Sequence, residues 1–220
     1  MSTTTRRGLF LTFEGLDGCG KTTQKRLLAE RLRQAGERVV ETVEPGGTAI
    51  GSQIRRILLD PANDHLDPRA EMLLYFAARA QNVAEILLPA LERGEIVISD
   101  RWTDSTWAYQ GFGRDLGTSL VQDIDEIACR GHKPDLTFLI DIDVETGLQR
   151  AHQRNAGASA AETRMDQQSR AFYERVREGY DTLAVAVPER VVRIDGHGSA
   201  YEVAARVWAA FEKFRRAHGR

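Results

Sequence analysis

Short runs of apolar and β-branched residues alternate with longer amphipathic stretches along this chain of 220 residues. The runs Leu9–Phe13, Arg38–Thr42, Ile96–Ser99, Leu136–Asp141 and Val191–Asp195 are mostly apolar and predict strands buried on both faces. Between them, Lys21–Gln34, Ile50–Leu59, Arg69–Arg93, Leu116–Arg130, Val144–Arg154, Arg164–Ala184 and Tyr201–Ala217 predict helices. In the longest of these, Met72, Tyr75, Phe76, Ala80, Val83 and Leu87 recur near helical spacing. The alternation predicts an α/β fold, a five-stranded parallel sheet with helices on both faces. Such sheets bind ligands beyond the carboxyl ends of their strands, so the residues that follow each strand are the site candidates. These are Glu14–Thr23, Glu44–Thr48, Asp100-Arg101 and Asp141–Asp143.

The length suits one domain spanning residues 1–220, with no repeat or Pro- or Ser-rich linker to divide it. Thirty basic against thirty-two acidic residues give a net charge of -2, which argues against a nucleic-acid coat or a membrane-surface binder. Any charge that binds phosphate must therefore be concentrated locally. The two cysteines, Cys19 and Cys129, are too few for a disulfide scaffold and have no metal-ligand spacing. The polar start and the short apolar run after it resemble neither a signal peptide nor a membrane span, so a cytoplasmic, soluble protein is expected. Asn155–Ala161, reading NAGASAA, is small and uncharged and lies among Arg150, Arg154 and Arg164. Arginines around such a stretch predict a short lid at about residues 150–165 that closes over phosphates.

Gly15-Leu16-Asp17-Gly18-Cys19-Gly20-Lys21-Thr22 matches the P-loop pattern in full, with Thr23 following. The glycines let the backbone turn its N–H groups inward, and the next helix adds the positive end of its dipole. Lys21 supplies a charge for the β- and γ-phosphates of ATP, and the Thr22 hydroxyl a ligand for Mg²⁺. The motif follows a predicted strand and opens a predicted helix, as a P-loop NTPase fold requires. His132-Lys133-Pro134-Asp135 imitates a guanine-reading motif, but its first position is wrong and no D-x-x-G switch follows the P-loop. It reads as a turn. The P-loop specifies the phosphoryl donor and leaves the acceptor open.

Several further stretches resemble the thymidylate kinase family: FEGLDGCGKTT (13–23), EPGGT (44–48), IRRILL (54–59), YFAAR (75–79), SDRW with TDSTWAYQG (99–111), PDLTFLIDI (134–142), GLQRA (147–151) and RVREGY (175–180). The resemblance runs across nearly the whole chain. It implies transfer of phosphate from ATP to deoxythymidine monophosphate (dTMP), with Mg²⁺, by a homodimer. Asp100 would hold Mg²⁺ or its waters, while Arg101 and Arg55 would grip the acceptor phosphate, as planar guanidinium groups do. Tyr75 and Arg79, one helical turn apart, would stack on thymine and donate to its exocyclic oxygen. Thr106, Tyr109 and Gln110 would line base and sugar. Gln110 has both an amide donor and an acceptor to offer, and Tyr109 would crowd the 2′ carbon. Asp17 would receive the sugar 3′-OH. Glu14 fits either a helix-tip acceptor or a holder of metal-bound water.

Some members of that family carry a basic residue in the P-loop just after the sugar-binding acid, and others carry the arginine in the lid. Gly18 stands at the P-loop position, so this chain resembles the lid-arginine type, with Arg154 or Arg164 expected at the transferring group. Three departures stand out: Val43 before E-P-G-G-T, Trp102 after D-R, and Thr163-Arg164-Met165-Asp166 in the lid. A P-loop kinase for another acceptor such as dUMP, or a module that binds nucleotide without turnover, are the competing readings.

Overall fold

Side-chain alternation along the strands decides which helix covers which face of the sheet. The strands β1 (Leu9–Glu14), β2 (Val39–Val43), β3 (Ile96–Asp100), β4 (Leu136–Asp141) and β5 (Val191–Asp195) all pair in parallel, in the order β2-β3-β1-β4-β5. The structure, a computed structural model, describes residues 7–155 and 163–219, except for the side chains of His152, Arg154 and Asn155. Residues 156–162 of the expected lid, and the Arg154 side chain, therefore lie outside the described residues.

In β1, Leu9, Leu11 and Phe13 face one way and Phe10 the other. The first set packs against α1 (Lys21–Gln34) and α9 (Ala200–Ala217) through Leu28, Leu32, Val207 and Phe211. Phe13 stacks on Phe138 with 4.9 Å between centroids. Phe10 packs with Val83, Leu87 and Leu91 on the opposite face. Burial of each such side chain contributes about 1.5–3 kcal/mol, which makes this two-sided core the principal support of the sheet.

The remaining helices are α2 (Ala49–Leu59), α3 (Pro68–Asn82), α4 (Leu88–Glu92), α5 (Thr103–Thr106), α6 (Thr118–Cys129), α7 (Val144–Asn155) and α8 (Arg170–Ala186). The single helix predicted over Arg69–Arg93 is divided: a wide π-type turn at Val83–Leu87 joins α3 to α4. Pro89 lacks the N–H that would bond back to Glu85, so the helix widens just before it. The helix predicted from Arg164 begins only at Arg170, where the Ser169 hydroxyl accepts from the Phe172 N–H at 3.2 Å. Asp67 caps α3 in the same way, with Pro68 in its first turn. Sequence patterning missed the segment from Thr103 to Gly113, which forms α5 and a second wide helical turn.

Asp135 of the guanine-motif imitation sits at the amino-terminal edge of the sheet. It accepts from Phe10 N–H at 2.7 Å and from Arg7 at 3.1 Å, so it clamps β1 to the turn before β4.

Candidate active site

The register between β1 and β3 runs from Leu9↔Ile96 to Phe13↔Asp100, so both strands deliver their terminal residues to one rim. A cleft of about 1070 Å³ opens there. The P-loop forms one wall. Helix α1 begins after Gly20, which has a φ of 95° and no side-chain cap, so its first backbone N–H groups are left to face the loop. Lys21 is buried, and its ammonium donates to the carbonyls of Leu16 at 2.7 Å and Gly15 at 3.0 Å, with the Cys19 sulfur at 3.5 Å. Thr22 donates its hydroxyl to Asp100 Oδ2 at 2.5 Å, which joins the loop to the end of β3. Two hard oxygen ligands from different elements thus sit side by side. Mg²⁺ needs no more from a protein when phosphates and water complete its octahedron. Among the described residues no cluster of three or more acidic, His or Cys groups suggests any other metal site.

Arg101 ties the loop to the opposite wall of the cleft. It has a φ of 69°, a left-handed conformation unusual outside glycine, and its N–H still bonds to Phe13 O at 3.0 Å. The chain therefore leaves the sheet abruptly and swings the guanidinium over the P-loop. That group donates to Asp17 Oδ1 at 2.5 Å, Ser105 Oγ at 2.9 Å, Gly15 O at 3.1 Å, and the hydroxyls of Tyr109 and Tyr180 at 3.2 Å each. Tyr109 also donates to Asp17 Oδ2 at 2.8 Å. Burial works to raise the Asp17 pKa, but the charges of Arg101 and Lys21 and the bond from Tyr109 outweigh it and bring it down to about 2. Asp17 is therefore an ionised acceptor at neutral pH.

Glu14 lies beneath this cluster. It accepts from Trp102 N–H at 2.7 Å, at the amino end of α5, and from the hydroxyls of Ser105 and Tyr180. This is the helix-tip arrangement. Burial, then the nearby Asp104, push its pKa up to about 7 against the pull of Ser105 and Arg101. Glu44, buried at the cleft wall, is likewise pushed up to about 8 by burial, with Arg79 opposing.

Arg55, Tyr75, Arg79, Thr106, Tyr109 and Gln110 all line the same cleft. Arg55 donates to Pro45 O at 3.0 Å, so the EPGGT turn positions it. Arg79 is almost wholly buried; it donates to Thr106 Oγ1 at 3.1 Å, and its guanidinium lies 5.5 Å from the Trp102 ring. Trp102 itself packs edge-on against Phe10 at 4.9 Å, so it supports Arg79 from the core and does not line the cleft. Gln110 donates its amide to Glu71 Oε1 at 2.8 Å.

Arg164 does not line the cleft. It is buried, donating to Glu71 Oε2 at 2.7 Å and Leu58 O at 2.5 Å, because the sealed Glu71 carboxylate demands a counter-charge. Arg150 does reach the cleft, on the turn of α7 that packs against Gly18. The sequence reading also missed Ser105, Tyr173 and Tyr180, whose hydroxyls join the Asp17–Arg101–Glu14 network. Tyr180 closes the RVREGY stretch, which was the available signal, and nothing in its spacing marks it as a site residue.

A family model described as thymidylate kinase matches residues 13–207. The chain belongs to the thymidylate kinase family. The thymidylate kinase of Citrifermentans bemidjiense is 51% identical over 207 residues, covering 94% of this chain and 92% of that protein. That of Geobacter sulfurreducens is 49% identical over 201 residues, covering 91% and 94%. The crystal structure of thymidylate kinase from Ehrlichia chaffeensis superposes with a TM-score of 0.75 at 34% identity, over 94% of this chain and 99% of that one. In this chain the P-loop glycine three residues before Lys21 is hard to replace. Gly18 has a φ of 76°, and a Cβ there would lie 2.3 Å from Gly147 O.

Proposed function

We propose that this chain transfers the γ-phosphoryl group of ATP to dTMP, giving dTDP and ADP. The observation that carries this reading is Arg101: one guanidinium, at the carboxyl rim, touches the P-loop through Gly15 and Asp17 and faces the cleft that Arg55, Tyr75 and Arg79 also line. Donor and acceptor sites thus meet at a single point. The acceptor oxygen is an ionised phosphate and needs no base, so catalysis consists of holding two polyanions in line and stabilising the charge that passes between them. Lys21 takes the β- and γ-phosphates, and Arg101 with Arg55 takes the acceptor phosphate. Mg²⁺, held at Thr22 and Asp100, would neutralise charge on the donor phosphates. Ionised Asp17 accepts the 3′-OH, Tyr109 walls off the 2′ position, and Tyr75 with Arg79, Thr106 and Gln110 receives the base.

Arg154 is the lid residue assigned here to the transferring group, and Arg164 is assigned to holding Glu71. Arg154→Ala should then lower kcat by about 10³, while Arg164→Ala should act mainly on stability and dTMP binding. A loss of kcat confined to the Arg164 variant overturns that division. The function itself is tested by ADP release with dTMP, dUMP, UMP and AMP at equal ATP. dTMP is expected to lead, and release that is independent of acceptor would refute a kinase. A homodimer is expected, because Ile50 and Ile57 of α2, Leu73 of α3 and Ile127 of α6 are exposed on neighbouring helices. Light scattering giving only particles of monomer mass would remove it. No described helix is long and apolar enough to cross a membrane.

A further inference from the structure

Glu71 is fully buried in α3 and takes four hydrogen bonds from three side chains, two of them arginines. It accepts from Gln110 Nε2 at 2.8 Å and Arg114 Nε at 3.1 Å on Oε1, and from Arg164 at 2.7 Å and Arg114 at 2.9 Å on Oε2. An ionised carboxylate only accepts, so the end of the Gln110 amide that faces it must be the NH₂. The carbonyl end, Oε1, is thereby turned the other way and makes no hydrogen bond with any described residue. Gln110 lines the acceptor cleft, as does Arg79.

We infer that Glu71 is a positioning residue that sets the polarity of the base reader, and so makes the site select thymine over cytosine. The inference rests on the proposed role of Gln110 and Arg79 at the base. With its donor end committed to Glu71, Gln110 presents only an acceptor, which matches the N3–H of thymine. Arg79 presents only donors, which match its O4. Cytosine reverses both groups: its N3 is an acceptor facing Gln110 Oε1, and its amino group is a donor facing Arg79. A site with fixed polarity rejects such an analogue strongly, because its buried groups are left unpaired. Arg114 and Arg164 keep the carboxylate charged in a sealed position, and their bonds together with that from Gln110 hold its pKa below the ordinary range against the effect of burial.

The test is discrimination between dTMP and dCMP. Glu71→Gln preserves shape but lets the Gln110 amide turn over. The KM for dTMP should rise about 10-fold or more with the KM for ATP unchanged, and the ratio of kcat/KM for dCMP over dTMP should rise at least about 10-fold. Arg114→Met leaves Glu71 in place with one partner fewer, and should show the same shift more weakly; it is the variant to read if Glu71→Gln does not fold. A folded variant with unchanged discrimination overturns the inference, since a merely structural role lowers stability without changing the ratio. Gln110→Ala separates the two levels. If it is impaired while Glu71→Gln discriminates normally, the positioning role alone fails; if it too discriminates normally, Gln110 does not read the base and the inference falls with it.

Discussion

Gly18→Ala is the substitution whose cost the structure specifies most fully. Gly18 holds a φ of 76°, and an added Cβ would meet Gly147 O at 2.3 Å, Arg150 Cβ at 3.0 Å and Ala151 N at 3.1 Å. Left-handed backbone costs a non-glycine residue about 1–2 kcal/mol. A carbon atom pressed that far into backbone must displace the first turns of α7, a kind of overpacking that costs about 1–3 kcal/mol. The sum, about 2–5 kcal/mol, corresponds to a fall in Tm of roughly 4–20 °C for a domain of this size. Gly20→Ala supplies the control: its φ of 95° imposes comparable strain, but nothing lies within 4 Å of its Cβ. Urea titration of both variants isolates the contact with α7 as the difference between them. Displacing α7 also moves Arg150 at the cleft wall, so kcat of Gly18→Ala should fall below that of wild type. If Gly18→Ala proves as stable as Gly20→Ala, the packing of α7 on the P-loop is not what requires glycine at position 18.

Three further outcomes follow from the site. The folded-state pKa of Glu14 is raised to about 7 and that of Glu44 to about 8. Each therefore contributes stability that is full below the unfolded value of 4.5 and lost as pH rises through the folded one. Wild-type stability should fall between pH 5 and 8, by up to about 1.4 kcal/mol per pH unit for each such group, and Glu14→Gln should flatten part of that slope in thermal melts. Asp17 runs the other way: its pKa of about 2 stabilises the fold above 3.8 and is lost as pH falls toward 2. Asp17→Asn should thus be less stable than wild type at pH 7 by about 1–2 kcal/mol, allowing for its partial exposure, with the gap closing near pH 2. Asp135→Ala should cost about 1–2 kcal/mol by unclamping β1, with both KM values unchanged. A change in nucleotide kinetics there would contradict its placement at the far edge of the sheet.

The strands and the P-loop were legible because each rests on a local rule. Strands buried on two faces read as apolar runs, and the anion loop reads as glycines at fixed spacing. The interval Thr103–Gly113 was not legible as helix, because Trp107, Tyr109, Gly111, Phe112 and Gly113 lower helix propensity and tertiary packing overrides it. The start of α8 was placed too early for a related reason. Residues 163–168 carry helical spacing, but Arg164 is drawn into a turn by Glu71, a partner 93 positions away. Tyr75 and Arg79 were assigned to the acceptor only by resemblance, since alone they read as a core aromatic and a surface cation. Glu71 escaped even that, because a carboxylate in the first turn of a helix ordinarily faces water beside the dipole.

The ladder between β1 and β3 acts as a common ruler for the whole catalytic edge. The P-loop is measured from Phe13 and the Asp100-Arg101 pair from its partner, so both are laid off from the same rung. A single-residue insertion in either strand shifts one set of groups by a full pleat and inverts every side chain beyond it. Length variation among related chains should therefore gather in the connections remote from this edge, such as Arg130–Pro134, and be missing from the segments 9–23 and 96–106.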